Sequence, residues 1–293
     1  MAHLQKTFDA SERRACKLTS QHRTTQRYRA ITPDDEPQLV KEMLSLARRH
    51  PRYGYRRITA LLRRAGWAVN KKRVQRLWRK QGLKVPKTRR KRRRLGTSAN
   101  SCTRRRAEYR NHVWTYDFIF DRTDDGRMLK FLTVVDEFTR ECLALPVARN
   151  FQAHDVIAVL ERLVGERGAP AFIRSDNGPE FIAIAMRGWI SAAGSDTAFV
   201  EPGAPWENAY IETFNGKFRD ELLAREVFLT VAEARHLAEA FRLEYNLERP
   251  HSSLGYKTPA EFAEGCAPSG SATLHLRAHT PAADHHHQPV PLS

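Results

Sequence analysis

Hydrophobic periodicity changes once along this chain, near Asn111, and that change restricts the fold more than any other feature. Before it, apolar residues recur at helical spacing: Leu39, Met43, Leu44 and Leu46, then Ile58, Leu61 and Leu62, then Val74, Leu77 and Trp78. After it, three runs read as strands: Val113–Asp121, Met128–Asp136 and Glu141–Val147. The first two are joined by the turn Thr123-Asp-Asp-Gly126. Short links predict an antiparallel meander. A helix is expected over Ala153–Arg167, then a strand over 171–176, a helix over 179–193, a short strand over Thr197–Val200 and a helical stretch from Pro205 to Leu223. This order calls for an α/β fold, a mixed five-stranded sheet with flanking helices, preceded by a small all-α domain.

The all-α part has the punctuation of a helix-turn-helix. Gly66 closes one helix, and Asn70 is placed to cap the next, Lys71–Lys80, after about four or five residues of turn. In such a motif the start of the second helix approaches base edges and phosphates. Arg56, Arg57, Lys71, Lys72 and Arg73 are therefore candidate DNA contacts. Charge supports this. Between Pro37 and Ala107 fall 25 of the 50 Lys and Arg but one of the 33 acidic residues, Glu42, so this segment carries +24 and the rest of the chain −7. The run Lys87–Arg94 adds Arg92, Arg93 and Arg94, suited to tracking a phosphate backbone.

The expected divisions are a polar segment over 1–36, a helix-turn-helix domain over 37–86, a basic linker over 87–110, a catalytic core over 111–265 and a disordered tail over 266–293. Cys16, Cys102, Cys142 and Cys266 form no CxxC pair, which argues against a disulfide framework or zinc knuckle. No apolar run approaches 18 residues and the start lacks a signal-peptide core, so a cytoplasmic protein working at the nucleoid is expected.

Three carboxylates carry the candidate chemistry. Asp117 interrupts an apolar strand with Trp114, Tyr116, Phe118 and Phe120 on one face, and there an ionised group needs a metal or a hydrogen-bonded partner. Asp176 ends a later strand, before the turn-forming Asn177-Gly178, and Glu212 lies 35 intervening residues on, beside the apolar stripe Ile211, Phe214, Phe218, Leu222. Oxygen ligands of this kind suit Mg²⁺ or Mn²⁺, ions used on phosphate esters. Arg219, seven residues after Glu212, returns to nearly the same helix face and could hold a DNA phosphate. Asp136, at the end of the second strand, is the competing carboxylate. Glu137 and Arg140 beside it favour a turn role for it.

The phrases Tyr53-Gly-Tyr-Arg-Arg-Ile58, Val113-Trp-Thr-Tyr-Asp117, Val135-Asp-Glu-Phe-Thr-Arg140, Ser175-Asp-Asn-Gly-Pro-Glu180 and Trp206-Glu-Asn-Ala-Tyr-Ile-Glu212 carry a family resemblance. Tyr245-Asn246, Arg249-Pro-His-Ser252 and Leu254-Gly-Tyr-Lys-Thr-Pro259 extend it. Over roughly residues 35 to 265 the chain resembles the second-frame (OrfB) transposases of the insertion-sequence-three family, in the DDE transposase and retroviral-integrase superfamily. The resemblance implies a ribonuclease-H-like core, which the element order also fits. It implies Asp117, Asp176 and Glu212 as catalytic and metal-binding triad, Arg219 as the basic position after the glutamate, and Asn208 as a DNA contact or helix brace. It further implies metal-dependent strand cleavage and 3′-OH strand transfer on double-stranded DNA, at element ends and target. A homo-multimer and a first-frame OrfA partner or fusion are the implied assemblies. The rival readings are a non-catalytic DNA-binding regulator or transposon remnant, and a ribonuclease-H-type nuclease.

Overall fold

The computed structural model describes residues 2–28, 33–85, 106–175, 188–190, 195–199 and 209–266, and the chain separates into two compact units, Met1–Lys87 and Thr88–Ser293.

The first unit opens with three short helices, α1 (Ala2–Phe8), α2 (Glu12–Leu18) and α3 (Arg23–Arg27), where the sequence suggested only a polar segment. Each is too short for a hydrophobic period to show. Glu12 holds α2 to α3 by ion pairs to Arg23 (3.2 Å) and Arg27 (2.9 Å). The expected trio follows as α4 (Glu36–Arg49), α5 (Tyr55–Arg64) and α6 (Lys71–Lys80). Leu39 and Met43, Ile58 and Leu62, and Val74, Leu77 and Trp78 meet in one core with Tyr53 and Val69. Gly66 adopts φ +92°, a conformation costly for a residue with a Cβ, while the amides of Gly66 and Trp67 bond back to Arg63 and Leu62. Asn70 caps α6, its side chain accepting from the Lys72 amide at 3.0 Å. Residues 65–70 separate α5 from α6, slightly more than the sequence suggested.

The second unit is built on a mixed sheet of β1 (Val113–Arg122), β2 (Met128–Asp136), β3 (Cys142–Ala144), β4 (Val147–Ala148), β5 (Phe172–Ser175) and β6 (Asp196–Phe199). The spatial order is β3-β2-β1-β5-β6, with β1–β2 and β2–β3 antiparallel and β1–β5 and β5–β6 parallel. This is the ribonuclease-H-like arrangement. The expected third strand is split into β3 and β4, both on β2. Pro146 lies in the break: it has no N–H to give, yet its carbonyl accepts from Leu132 at 3.0 Å.

Helices cover both faces. On one, α7 (Ala153–Arg167) sets Val156, Leu160 and Leu163 against Trp114, Tyr116, Leu132, Val134 and Ile173. On the other, α8 (Ala209–Phe218) and α9 (Val231–Leu247) pack Ile211, Phe214, Phe218, Phe241 and Tyr245 onto Ile119, Phe131 and Val135. Phe120, on the same face of β1 as Trp114, Tyr116 and Phe118, is 54% exposed near the hairpin end, and the Lys130 ammonium stands 5.6 Å from its ring. A π-helical turn, Arg219–Leu223, extends α8, and α10 (Pro259–Glu264) follows α9. The helix expected over 179–193 lies outside the described residues apart from 188–190, which are helical.

Candidate active site

Alternation along β1 sends Trp114, Tyr116 and Phe118 toward α7, and Asp117 to the face that α8 covers. Asp117 is half-buried there. One carboxylate oxygen, Oδ1, accepts from the Phe118 amide at 2.8 Å, and Oδ2 accepts from the Asn215 side-chain amide at 2.7 Å. Asn215 is buried on α8, and its own Oδ1 accepts from the Thr133 hydroxyl at 3.1 Å. Thr133 lies directly opposite Asp117 on β2, and its hydroxyl also reaches the Asp117 carbonyl at 3.0 Å. Asp117, Asn215 and Thr133 therefore fasten α8 across the central strand pair. A carboxylate is a hard oxygen donor of the kind a divalent cation takes.

Glu212 lies on α8 one turn before Asn215, which puts it on the same side of the helix. It is exposed, as expected for a group beside the Ile211, Phe214, Phe218 stripe rather than within it. Asp176 lies outside the described residues, as do Asn208, Arg92, Arg93 and Arg94. Among the described residues, no three His, Cys, Asp or Glu side chains gather as a metal site.

Arg219 is exposed at the start of the π turn. The turn is held from behind by Glu221, which takes both a 2.8 Å and a 2.5 Å hydrogen bond from the buried Arg249 guanidinium. Arg249 in turn touches His251 at 3.4 Å, so the Arg-Pro-His phrase of the sequence is a clamp on the end of α8.

Asp136 is not part of the acidic surface. It is fully buried, and its two oxygens accept from the amides of Asn111 (2.8 Å), Phe138 (2.7 Å) and Thr139 (3.1 Å). Burial pushes its carboxyl above the ordinary range, against the pull of those three amides. Its task is to close the β2–β3 turn.

In the helical unit Lys71 and Lys72 stand exposed at the start of α6, and Arg56 is exposed on α5. Arg57 is half-buried with its guanidinium 5.3 Å from the Tyr53 ring. Arg73 is half-buried, and its two terminal nitrogens bond Asp35 at 3.0 and 2.5 Å. That pairing turns its fork toward the start of α4. Asn215, Thr133 and Glu221 belong to no motif of the sequence, whereas Arg249 stands in the phrase Arg249-Pro-His-Ser252, to which no role was attached. Asn215 had one available signal, its place one turn after Glu212.

Comparison with known proteins bears on this geometry. Family descriptions match in chain order: an HTH-like domain over residues 33–92 and integrase core domains over 107–205 and 193–259. A protein of insertion element IS407 from Burkholderia multivorans, itself named only as an uncharacterized 31.7 kDa protein, is 40% identical over 90% of this chain and 94% of its own length. The transposase InsD of insertion element IS2 from Escherichia coli is 30% identical over 75% of this chain and 76% of its own. The chain belongs to the insertion-element transposases with an integrase core. The integrase core of this transposase follows its HTH-like domain in the sequence. Among solved structures, the HTLV-2 integrase catalytic core domain aligns with 54% of this transposase and 99% of its own chain, at 17% identity and TM-score 0.44. No helix among the described residues is long and apolar enough to cross a membrane.

Proposed function

We propose that Asp117, Asp176 and Glu212 form the catalytic triad of this transposase, binding Mg²⁺ or Mn²⁺ and carrying strand cleavage followed by 3′-OH strand transfer. The observation that carries the reading is the Asn215–Asp117 hydrogen bond, because it ties the helix bearing Glu212 to the strand bearing Asp117. Register supports adding the third member. Thr115 pairs with Arg174 in the parallel β1–β5 ladder, and Asp117 and Asp176 each come two residues later in the sequence.

The donor set is all carboxylate, which fits a hard divalent ion. Bound there, a pair of such ions supplies the charge that activates an attacking oxygen and stabilises a leaving one in an in-line displacement. The chain's own part is orientation. The Phe118 amide and Asn215 fix the Asp117 carboxylate, and the exposed Arg219 is the proposed partner of a DNA phosphate. In the first step a water oxygen bonds to phosphorus and the strand's 3′ oxygen leaves, gaining a proton. In the second, that 3′-OH oxygen bonds to a target phosphorus, its proton is lost and the target's 3′ oxygen leaves. No protein–DNA covalent bond is required.

Arg56, Arg57, Lys71, Lys72 and Arg73 are the proposed phosphate contacts of the helical unit, joined by the basic run with Arg92, Arg93 and Arg94 and, near Glu212 in the sequence, by Asn208. Synapsis of two element ends calls for a homo-multimer acting at the nucleoid, with a first-frame OrfA protein as partner or fusion. The test uses a labelled element end with Mg²⁺. Asp117→Asn, Asp176→Asn and Glu212→Gln should each abolish cleavage and strand transfer, with DNA binding retained. Full cleavage by any of the three purified variants overturns the triad.

A further inference from the structure

Turns between strands are normally solvated, because their polar groups need water. The β2–β3 turn, Asp136–Glu141, breaks that rule: Asp136, Glu137 and Glu141 are buried and Arg140 is half-buried. Each charged side chain reaches a different part of the unit. Asp136 accepts from the Asn111 amide, at the entry to β1. The Glu137 carboxylate takes a 2.5 Å hydrogen bond from Arg174 on β5, in an ion pair whose side chains are 0% and 4% exposed, and the Glu137 amide donates to Val113 on β1 at 3.0 Å. The Arg140 guanidinium lies 3.5 Å from the ring centroid of Tyr210, in the first turn of α8. Glu141 pairs with Arg167 at the end of α7, at 2.7 Å.

The backbone pays for this arrangement. Arg140 sits at φ +67°, in the left-handed region that side chains bearing a Cβ avoid, and its Nε and Nη1 make no hydrogen bond among the described residues. A buried ion pair is in general poor at adding stability and better at fixing a register. β5 is a short strand, four residues that pair with β1 at three positions and with β6 at four, and the Glu137–Arg174 ion pair adds a side-chain tie to that ladder. The first turn of α8 has a similar tie in the Arg140–Tyr210 contact, while its bonds to the sheet through Asn215 come later in the helix.

We propose that Glu137 and Arg140 are positioning residues for strand transfer. Through Arg174 and Tyr210 they lock β5 and the start of α8 against β1, and so set the spacing of the carboxylates that bind metal. This rests on the triad reading above. Tyr210 lies two residues before Glu212, and Arg174 is two residues before Asp176. Neither positioning residue touches DNA or metal in the proposal.

The test compares the full chain with Tyr210→Leu, Tyr210→Phe and Glu137→Gln. The measurements are thermal unfolding, Mn²⁺ binding by calorimetry, DNA affinity, and cleavage against Mg²⁺ concentration. Residues that orient metal ligands typically change metal affinity or activity by about 10- to 100-fold. Tyr210→Leu should therefore weaken Mn²⁺ binding about tenfold and raise the Mg²⁺ needed for half-maximal cleavage to match, with DNA affinity unchanged. Tyr210→Phe keeps the ring beneath Arg140 and should restore both. Glu137→Gln should shift metal affinity in the same direction; if it fails to fold, the Tyr210 pair decides alone. Wild-type metal affinity in folded Tyr210→Leu overturns the positioning role while leaving the triad intact. A wild-type chain that neither binds Mn²⁺ nor cleaves DNA overturns the triad reading, and this inference with it.

Discussion

The Asp117 carboxylate owes its orientation to Asn215, and the consequences of removing that amide are specific. Asn215→Ala deletes the donor to Asp117 and the acceptor of Thr133 in a buried setting, so a stability loss of about 1–3 kcal/mol is expected. Strand cleavage should fall further than that loss accounts for, by about 10- to 100-fold, because an orienting partner is gone. Chemical denaturation beside single-turnover cleavage checks both numbers. Wild-type cleavage by a folded variant would show that Asp117 holds its own geometry. The sequence exposed Asp117 because a lone charge in an apolar strand is costly without a partner. It did not expose the partner. Asn215 on a helix reads as one more polar residue, and Thr133 between Leu132 and Val134 reads as an ordinary strand residue. Only the pairing of β1 with β2, which sets Thr133 opposite Asp117, reveals the trio. Asp136 was legible in part, since Glu137 and Arg140 beside it favoured the turn role it has. Its place at a strand end resembled that of a catalytic acid, and its burial under three amides could not be read from neighbours in sequence.

Elements with their own caps and punctuation were legible almost to the residue. Helix α6 begins after the capping Asn70, and α7 begins with a capping box between Gln152 and Asp155 and stops at Gly168, φ +82°. Elements shaped by distant partners were not. The apolar spacing Phe214, Phe218, Leu222 promises an unbroken α-helix, yet residues 219–223 take a π turn that Arg249, far along the chain, secures through Glu221. The outer edge of the sheet shows the same dependence. Both the amide and the carbonyl of Cys142 on β3 bond to the Asn246 side chain of α9, at 2.8 Å each, so a side-chain amide occupies the place of a further strand. Arg235 takes the Val147 carbonyl at 2.8 Å. Unpaired edges invite pairing with other chains. Asn246→Ala should therefore cost about 1–3 kcal/mol and raise self-association on mild heating, read by light scattering. An unchanged scattering profile would mean that Arg235, with Arg242 at 3.5 Å from the Cys142 carbonyl, covers the edge without it.

For the molecule as a whole, charge is divided unevenly, +24 between Pro37 and Ala107 and −7 elsewhere. In the helical unit, hydrogen bonds from Arg73 hold the Asp35 carboxyl below its ordinary range, and those from Arg76 do the same for Glu36. A depressed folded value means that this stabilisation is complete above the unfolded values, about 3.9 and 4.3, and is lost as pH falls through the folded ones. The unfolding temperature reported by Trp67 and Trp78 should thus hold from pH 7 to about 5 and drop below about 4.5, with Glu36→Gln flattening the drop. A midpoint independent of pH down to 3 would contradict it. The sealed sheet edge has a different consequence, one of timing. Cys142 and Asn246 are separated by 104 positions, and at about 5–20 residues per second a ribosome needs on the order of ten seconds to deliver the second after the first. Throughout that interval the nascent sheet emerges with its rim open, so polysomes making this protein offer neighbouring copies a strand to grasp that the finished molecule withholds.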